Sequence, residues 1–343
     1  MSSLTKFIKL MPKVELHVHL EGSVKPETLL ILAERNAVKL PAHSIEELRK
    51  WYHFKDLAYF CDIYMVICSC IKTPEDLQLI TFEFLKDRAK QNIRYSEIIY
   101  TPYSHIENIT LDDQLKAINC ARVKAEKEYG VTFGLVIDIS RQIRPIDHTI
   151  HIAEWAVKNM DKGIIGFGVG GPELGNPPEL FEDAFDIATQ GGLASLPHAG
   201  ESDGPESIWG AINTLKAIRI GHGVRCLEDP ELVRYLKDIQ LPLDVSPTSN
   251  VCLNVASSFE EHPLPKMIDE GLYVTLNSDD PPMFNTTLTD EYLKVAKTFK
   301  FDREKIITLV FNGLEASLLP LHTKKKMHKE FERQFKKLEK ELI

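Results

Sequence analysis

The sequence contains few cysteines, no long apolar run and no excess of basic residues. Its six cysteines are scattered over 343 residues, mostly inside apolar stretches, which favours reduced thiols over a disulfide framework. No apolar run approaches the ~20 residues needed to cross a bilayer, and the first 25 residues lack the pattern of a secretory leader. The formal net charge of −9 argues against a nucleic-acid partner, because phosphate contacts need a basic face. These absences predict a soluble, cytoplasmic protein that binds neither nucleic acid nor membranes, and they leave its oligomeric state open.

What the sequence does contain is a regular alternation of short apolar runs and longer stretches with helical periodicity. Eight runs are rich in apolar or β-branched residues: 14–20, 93–101, 131–140, 164–170, 193–198, 219–223, 241–246 and 272–277. Eight strands alternating with helices predict an α/β fold, a closed parallel (β/α)₈ TIM barrel. The first run leads straight into His17, His19 and Glu21, without the glycine-rich phosphate turn that often follows the first strand of a doubly wound sheet.

The connection between the first two runs is unusually long. About seventy residues separate them, far more than one helix and two short loops need. We predict extra helices there, led by Pro26, by Ser44, by an apolar pattern over 57–68 and by a helix start at Thr73. The insertion at about 40–75 should cover the barrel mouth, either packed there or acting as a substrate lid. Residues 323–342 predict a C-terminal surface helix with one apolar stripe, and the whole chain, 1–343, is interpreted as one domain.

Polar residues follow several predicted strands at the end where a barrel carries its active site. His17 and His19 are two residues apart, so both side chains should face the barrel interior, where imidazoles are costly unless a divalent metal binds them. His198 ends the fifth run and can supply a third nitrogen ligand. After the eighth run, Asp279 and Asp280 would repel each other, and a bound cation offsets that repulsion. One aspartate can bind the metal while the other turns to the substrate, and three histidines with one aspartate suit zinc.

Two further residues have the chemistry of acid–base groups. Glu201 follows His198 where the chain leaves the strand, so its carboxylate can face the same cavity; a charge at a helix N-terminus is the simpler alternative. His222 lies between two glycines, which let the backbone approach a ligand closely; a buried histidine bonded to a carbonyl is the simpler alternative there. The sequence has no PCxxC motif, so a zinc site with paired cysteine ligands is not expected.

Four segments, taken together, resemble the signatures of the adenosine/AMP deaminase family in their order and spacing. They are Lys13–Gly22, His198–Glu201, Gly221–Gly223 and Ser278–Pro281. The resemblance runs from about Met11 to past Leu314 and implies a barrel enzyme that removes ammonia hydrolytically from a 6-aminopurine. It also implies that one zinc ion per chain is held by His17, His19, His198 and Asp279.

The same resemblance implies roles for the residues around the metal. Glu201 would give a proton to purine N1, which makes C6 electrophilic, and His222 would orient the attacking water and help deprotonate it. Asp280 would bond N7, and the backbone N–H of Gly171 would meet N3. Zinc supplies the matching chemistry, because water bound to it ionises near neutral pH. Contacts with the substrate are therefore expected from His19, Glu21, Gly171 and Asp280.

The resemblance leaves more than one substrate open. Glu21 stands where the best-known adenosine deaminases commonly carry an aspartate that bonds the ribose 5′-hydroxyl, and the longer glutamate resembles adenine deaminases. Gly221, before His222, instead resembles nucleoside deaminases, since adenine deaminases tend to have aspartate there. The run 279–284 resembles certain bacterial adenosine deaminases and relatives that act on aminofutalosine. We hypothesise deamination of adenosine, and of 2′-deoxyadenosine, with adenine and aminofutalosine as alternatives.

Two other readings fit the sequence less well. AMP is disfavoured as a substrate, because no basic cluster lies near the motifs to hold a phosphate. A catalytically silent zinc-binding scaffold would keep the metal ligands but lose the proton donor or the water-orienting histidine. Because Glu201 and His222 are both present, the sequence favours an active enzyme.

Overall fold

The computed structural model describes residues 2–342, and its strands form two parallel ladders. The strands are β1 Lys13–His19, β2 Ile93–Tyr100, β3 Thr132–Ser140, β4 Ile164–Gly170, β5 Ala194–Ser195, β6 His198–Ala199, β7 Ile220–His222, β8 Leu243–Val245 and β9 Val274–Leu276. One ladder has the order β1-β2-β3-β4-β5 and the other β6-β7-β8-β9. A parallel bridge between Val18 and Asp279 joins β1 to the segment after β9 and closes the ring. The predicted parallel α/β barrel is confirmed.

The fifth predicted strand is two short strands in the structure. Leu196 and Pro197 separate β5 from β6, and proline has no N–H to donate to a ladder. Backbone hydrogen bonds nevertheless continue the barrel across this gap: Leu196 N donates to Phe167 O at 2.9 Å, and Gly221 N donates to Pro197 O at 2.9 Å. All eight predicted positions are therefore occupied, although the strands of the second ladder are shorter than predicted.

Helices surround the barrel and fill the long first connection. They are α1 Ser3–Leu10, α2 Pro26–Arg35, α3 Ile45–Trp51, α4 Leu57–Ser69, α5 Pro74–Lys90, α6 Leu111–Tyr129, α7 Asp147–Lys158, α8 Glu182–Gln190, α9 Pro205–Asn213, α10 Pro230–Ile239, α11 Pro247–Cys252, α12 Leu264–Asp269, α13 Leu288–Thr298, α14 Arg303–Ala316 and α15 Leu321–Glu341. The extra helices predicted between the first two strands are α2 to α5. Side-chain caps from Ser44, Asp56 and Thr73 accept backbone N–H bonds at the starts of α3, α4 and α5.

Aromatic packing holds α4 against the active-site end of the barrel. The ring of Phe284, in the loop after β9, lies 5.4 Å from the ring of Phe60 in α4 and 5.7 Å from that of Phe54. Such centroid distances are typical of favourable aromatic pairs. The insertion is therefore packed on the barrel, and its position brings α4 to the central cavity described below.

The two ends of the chain pack together on the outside of the barrel. The ring of Phe7 in α1 stacks on that of Phe335 in α15, with centroids 5.8 Å apart. Phe331 and Phe335, both in the predicted apolar stripe, are buried. The C-terminal helix predicted for 323–342 spans Leu321–Glu341, while α1 was not predicted because two helical turns give too short a pattern.

A buried ion network fills the interior below the C-terminal strand ends. Arg219, just before β7, donates to Glu97 of β2 and, through Nε at 2.6 Å, to Asp244 of β8. Its remaining amino group bonds Ala316 O at 3.1 Å, and Thr275 donates to Asp244 at 2.7 Å. The network joins strands from both ladders.

Two expectations from composition concern cysteines and membrane spans. All six cysteines are free; Cys68, Cys70 and Cys226 are buried and Cys120 is exposed. Within residues 2–342 no single helix has the length and apolar character needed to span a membrane, and Leu57–Ser69 with Pro74–Lys90 meets those criteria only as a pair bent by 118°.

Candidate active site and metal centre

Four buried side chains converge at the C-terminal ends of the strands. Ligand atoms of His17, His198, His222 and Asp279 all lie within 4.8 Å of one another. Asp279 Oδ1 is 3.3 Å from Nε2 of His17 and also 3.3 Å from Nε2 of His19. His19 Nε2 and His198 Nε2 are 3.2 Å apart. The structure thus brings together His17, His19, His198 and Asp279, the four residues expected to bind a metal.

The donor set has the character of a site built for a cation. His17 Nε2 is buried and has no hydrogen-bond partner among the described residues, which is costly for an isolated protein. A divalent ion can bind several neutral imidazole nitrogens and a carboxylate oxygen at once. Ligand sets of nitrogen and oxygen suit zinc. The residues present therefore fit a metal ion.

The charges in the cluster are strongly displaced from their ordinary behaviour. Burial opposes ionisation of Asp279, but the nearby imidazoles of His17 and His19 outweigh it and hold its pKa well below the usual range. Burial likewise opposes protonation of His19, yet the carboxylates of Asp280 and Asp279 raise its pKa to about 10. Burial and the neighbouring histidines lower the pKa of His198 well below its ordinary value. These shifts favour an anionic carboxylate at Asp279 and a neutral imidazole at His198, the forms that bind a metal. A bound metal would displace the proton that the cluster favours on His19.

Backbone conformation at the site is unusual. His222 and Asp279 both have φ of 64°, in the left-handed region that side chains other than glycine rarely adopt. Each such residue costs of order 1 kcal/mol or more and persists only where the surroundings fix it. At both positions the turn brings the side chain to the centre of the barrel.

Glu201 lies in a loop whose backbone is held by another buried carboxylate, Glu173. Glu173 Oε2 accepts from Gly200 N at 2.8 Å, and Oε1 accepts from the N–H groups of Glu201 at 2.9 Å and Ser202 at 2.8 Å. Ser207, in the first turn of α9, also donates to it. Burial opposes ionisation of Glu173, but these bonds and the charge of Arg141 keep its pKa below the ordinary value. Glu173 therefore fixes the loop that presents Glu201.

The surroundings of Glu201 and Asp280 favour their protonated forms. Burial, followed by the charges of Asp279 and Glu173, raises the pKa of Glu201 well above its usual range. Burial and the charge of Asp279 do the same for the pKa of Asp280. Each shift favours the protonated carboxyl group, which is the form that donates a hydrogen bond.

A chain of hydrogen bonds sets the orientation of His222. His262 Nδ1 accepts from Leu264 N at 3.1 Å, so its Nε2 carries the proton and faces Asn250 Oδ1 at 3.0 Å. The Asn250 amide nitrogen then faces His222 Nδ1 at 3.2 Å, which leaves the proton of a neutral His222 on Nε2. Burial lowers the pKa of His222 to about 3, and its Nε2 is 3.6 Å from Glu201.

These groups line one cavity at the C-terminal end of the barrel. Polar walls come from the metal cluster, Glu201, Asp280 and the chain at Gly170 and Gly171, whereas α4 supplies an apolar wall. The α4 residues in that wall are Leu57, Phe60, Cys61, Tyr64 and Met65. Gly171 has φ of +96°, which requires glycine at this turn. A pocket that is apolar on one side and polar on the other is typical of sites for small heteroaromatic ligands.

Glu21 occupies a different position from the other predicted substrate contacts. It is fully buried and is not among the residues that line the cavity. Its Oε1 accepts from Thr101 N at 3.1 Å and lies 3.3 Å from His105 Nε2, while Oε2 accepts from the Tyr64 hydroxyl at 3.2 Å. Glu21 thus reaches the cavity through Tyr64, and its own contact with substrate stays a prediction.

Sequence reasoning did not single out Glu173, Asn250, His262 or Asp138, a further buried carboxylate that lines the cavity. Glu173 and Asn250 each contact a predicted site residue 28 positions away, so no local spacing identifies them. Asp138 alone gave a signal, as a lone carboxylate near the C-terminal end of an apolar strand.

The loop after β6 also matches a different catalytic pattern. Residues 200–204 have the GxSxG spacing of the nucleophile elbow in serine hydrolases. Ser202 Oγ faces Glu173 Oε1 at 3.4 Å, so its neighbour is a carboxylate rather than the histidine base that such a nucleophile needs. The spacing therefore does not indicate a serine hydrolase.

A parallel barrel with histidines and an aspartate converging on a metal-type centre at its C-terminal end defines the class of metal-dependent barrel hydrolases. The family model described as adenosine deaminase matches residues 12–334. The chain therefore belongs to the adenosine deaminase family, and it is a hydrolytic deaminase that acts on adenine- or adenosine-like compounds.

Individual relatives differ in their substrates. The chain is 38% identical to the aminodeoxyfutalosine deaminase of Streptomyces avermitilis, over 92% of this chain and 89% of the relative. It is 39% identical to the adenine deaminase of Chlorobium phaeobacteroides, over 95% and 96% of the two chains. It is 34% identical to the adenosine deaminase of Clostridium kluyveri, over 96% of each.

Solved structures confirm the fold. The crystal structure of adenine deaminase from Arthrobacter aurescens matches with a TM-score of 0.91 at 34% identity, over 95% of this chain and 99% of that one. A zinc-bound amidohydrolase from Burkholderia ambifaria also matches with a TM-score of 0.91, at 25% identity over 100% and 95% of the two chains.

Proposed function

We propose that this chain is a zinc-dependent deaminase of 6-aminopurine nucleosides, with adenosine as the simplest substrate. The observation that carries the proposal is the convergence, in one cavity, of a His/Asp metal cluster with the buried carboxyl groups of Glu201 and Asp280. Zinc fits the donor set, with His17, His19, His198 and Asp279 as its ligands. A bound zinc ion supplies Lewis-acid activation of a water molecule near neutral pH.

The side chains around the centre match the hydrogen-bonding pattern of an adenine ring. Purine N1, N3 and N7 are all acceptors, so each needs a donor. Glu201, protonated because of its burial, gives its proton to N1 and makes C6 more electrophilic. Asp280, also protonated, donates to N7, and the Gly171 N–H donates to N3. His222, held by Asn250, directs its Nε2 toward the space beside Glu201, where it orients the attacking water.

A glycine before His222 supports a nucleoside rather than free adenine. A Cβ atom at Gly221 would lie 2.6 Å from Cε1 of His17, so an aspartate at this position would displace a proposed metal ligand. The aspartate pattern of adenine deaminases therefore does not fit this backbone.

A nucleoside with a large 5′ substituent, of the aminodeoxyfutalosine type, is the second candidate. Both oxygens of Glu21 are occupied by Thr101, His105 and Tyr64, so no free carboxylate awaits a 5′-hydroxyl. The apolar wall of α4 offers Leu57, Phe60 and Met65 to an apolar extension instead. The similarity to aminodeoxyfutalosine deaminases supports the same candidate.

The test is loss of the amino-purine ultraviolet absorbance with purified, zinc-loaded protein. Adenosine, adenine, AMP and aminodeoxyfutalosine are assayed in parallel. Turnover of adenosine with little turnover of adenine supports the main proposal, and turnover confined to aminodeoxyfutalosine moves the assignment to the second candidate. Turnover confined to adenine contradicts both nucleoside assignments.

A further inference from the structure

The cavity wall formed by β3 and β4 contains a buried carboxylate to which the proposed function gives no role. Asp138 lies in β3, lines the cavity and is 3% exposed. Its Oδ1 has no hydrogen-bond partner among residues 2–342. A buried polar atom without a partner is destabilising unless something supplies the missing bond. Because Asp138 lines the cavity, a ligand bound there can supply a donor to its carboxyl group.

The adjacent strand is shaped to make room for this carboxylate. Asp138 pairs with Gly168 of β4 in the ladder. A Cβ atom at Gly168 would lie 2.7 Å from Asp138 Oδ1, and one at Gly170 would lie 3.0 Å from Oδ2. The carboxylate therefore covers two glycines, and a larger residue at either position would crowd it. The same Cβ at Gly170 would be 3.4 Å from the His198 ring, so Asp138 lies close to the metal centre.

Neither of the two cationic groups whose charges act on Asp138 donates a hydrogen bond to its Oδ1. Arg141 donates from one amino group to Asn176 O at 2.5 Å and from the other to His198 O at 2.7 Å. His19 directs Nε2 to Asp279 at 3.3 Å. Burial raises the pKa of Asp138 to about 7, and the charges of His19 and Arg141 only partly oppose this effect. Asp138 thus lines the cavity while its Oδ1 lacks a protein donor within the described part of the chain.

The proposed substrate orientation decides which part of a nucleoside meets Asp138. Glu201, after β6, faces N1, and Gly171, after β4, faces N3. Because β3 lies on the far side of β4 from β6, Asp138 lies beyond N3, where the sugar is attached. The 2′-hydroxyl lies on the N3 edge of a nucleoside, as it does in the minor groove of an RNA helix.

We propose that Asp138 is a specificity-determining residue whose carboxylate accepts a hydrogen bond from the ribose 2′-hydroxyl of the substrate. The inference rests on the proposed nucleoside deaminase function. A hydrogen-bond donor on the same side is also present in free adenine, as N9–H, and the experiment separates the two sources.

The test compares kcat/KM for adenosine, 2′-deoxyadenosine, 3′-deoxyadenosine and adenine in the wild type, Asp138→Ala and Asp138→Asn. The wild type should prefer adenosine to 2′-deoxyadenosine by about 5- to 100-fold, a range that spans hydrogen bonds to neutral and to charged groups. Asp138→Ala should lose that preference, because its activity falls on adenosine and changes little on 2′-deoxyadenosine. Asp138→Asn keeps a carbonyl acceptor in the same shape and should retain part of the preference.

Several results would overturn the assignment. An equal loss on adenosine and 2′-deoxyadenosine would show that Asp138 acts only on the architecture of the site. If Asp138→Ala lost only the preference for adenosine over 3′-deoxyadenosine, the bond would belong to the 3′-hydroxyl. If it lost activity only on adenine, the bond would belong to N9–H. Asp161→Ala provides the matched control, since Asp161 is exposed and precedes β4 at the opposite end of the barrel. Zinc content and thermal midpoint are measured for every variant and identify one that misfolds. If Asp138→Ala misfolds, the comparison rests on Asp138→Asn, which is closer in shape to the wild type.

Binding separates this inference from the proposed function. Calorimetry with inosine and 2′-deoxyinosine needs no turnover. If the wild type deaminates none of the compounds, the proposed function fails. A preference for inosine over 2′-deoxyinosine that disappears in Asp138→Ala would then still support the role of Asp138. Equal affinity of the wild type for the two ligands would overturn it.

Discussion

The proposed site offers a purine three hydrogen-bond donors: Glu201, Asp280 and the Gly171 N–H. The two carboxyl groups can donate only when they carry a proton. At neutral pH a carboxyl group is ordinarily an acceptor only. Burial and neighbouring negative charge favour the protonated forms of Glu201 and Asp280, whereas the nearby His17 and His19 favour the ionised form of Asp279. The pKa values of the adjacent aspartates are therefore shifted in opposite directions, toward an anion suited to a metal at Asp279 and toward a donor suited to an acceptor nitrogen at Asp280.

Replacing Glu201 by Gln should remove the proton donor and leave the metal centre intact. The amide has nearly the same shape and can still form a hydrogen bond, but it cannot give up a proton. We expect kcat to fall by at least about a hundredfold, the lower range for loss of a general acid, with zinc near one per chain. Steady-state kinetics and metal analysis measure the two quantities. Full activity in Glu201→Gln would contradict the mechanism.

Replacing His17 by Ala should instead remove metal. His17 Nε2 is buried without a protein partner, so its contribution is expected toward the ion. We expect loss of zinc after dialysis against a chelator that leaves the wild type loaded, with an ultraviolet circular dichroism spectrum close to that of the wild type. Glu201→Gln, treated in parallel, is the control. Stoichiometric zinc in His17→Ala would exclude His17 from the ligand set.

At the residue scale, the sequence predicts positions that lie near strand ends but not those that act across the barrel. His17, His19, His198, His222 and Asp279 meet because parallel strands end at one face, which periodicity alone anticipates. Glu173 and Asn250 are different, because each acts through partners more than 25 residues away, and such pairings depend on the closed barrel.

At the scale of elements, Asp76 connects the end of α2 to the start of α5. It accepts from Arg35 at 2.8 Å and from Asn36 at 2.7 Å, both at the end of α2. It also completes the capping box of α5, accepting from Thr73 N at 3.0 Å. Burial opposes its ionisation, but the bonds from Asn36, the Lys72 backbone and Arg35 hold its pKa below the ordinary value.

Replacing Asp76 by Asn should therefore destabilise the protein in a pH-dependent way. Because the folded-state pKa is lower than that of the unfolded chain, the stabilisation is fully present above about pH 4 and is lost as pH falls through the folded pKa. We expect the free energy of unfolding at pH 7 to fall by about 1–3 kcal/mol, with a smaller difference from the wild type near pH 3. Urea unfolding at both pH values measures this.

Glu75→Gln is the control for that experiment, since Glu75 is an exposed neighbour in the same helical turn. Its unfolding free energy should stay within about 0.5 kcal/mol of the wild type. A constant difference between Asp76→Asn and the wild type from pH 7 to pH 3 would show that the ionised carboxylate is not the stabilising form.

Helix starts in the insertion are predictable from sequence because caps are local. Pro26, Ser44 and Thr73 lie at the starts of α2, α3 and α5 as the sequence predicts. The short strands of the second ladder are less predictable, since Pro197 interrupts one of them and their ends depend on pairing partners elsewhere in the chain.

At the scale of the whole molecule, the candidate active site and a buried ion network lie at different levels along the barrel axis. The metal-type cluster lies at the C-terminal strand ends, whereas Arg219 with Glu97 and Asp244 lies within the interior below it. Arg219 is only 3% exposed, and the charges of Asp244 and Glu97 raise its pKa against the effect of burial. The network is fully paired, so its cost of burial is offset only while all three charges remain.

Arg219→Met should consequently unfold more easily without a change in substrate affinity. Removing the guanidinium leaves Glu97 and Asp244 buried without their cation, a loss that typically costs about 3–5 kcal/mol. Adding Glu97→Gln and Asp244→Asn to this variant removes the unpaired charges, so much of the lost stability should return. Urea unfolding of the three proteins measures the differences, and KM for the best substrate should be the same in all that fold. A triple variant no more stable than Arg219→Met would show that shape and hydrogen bonding, rather than unpaired charge, govern this part of the barrel.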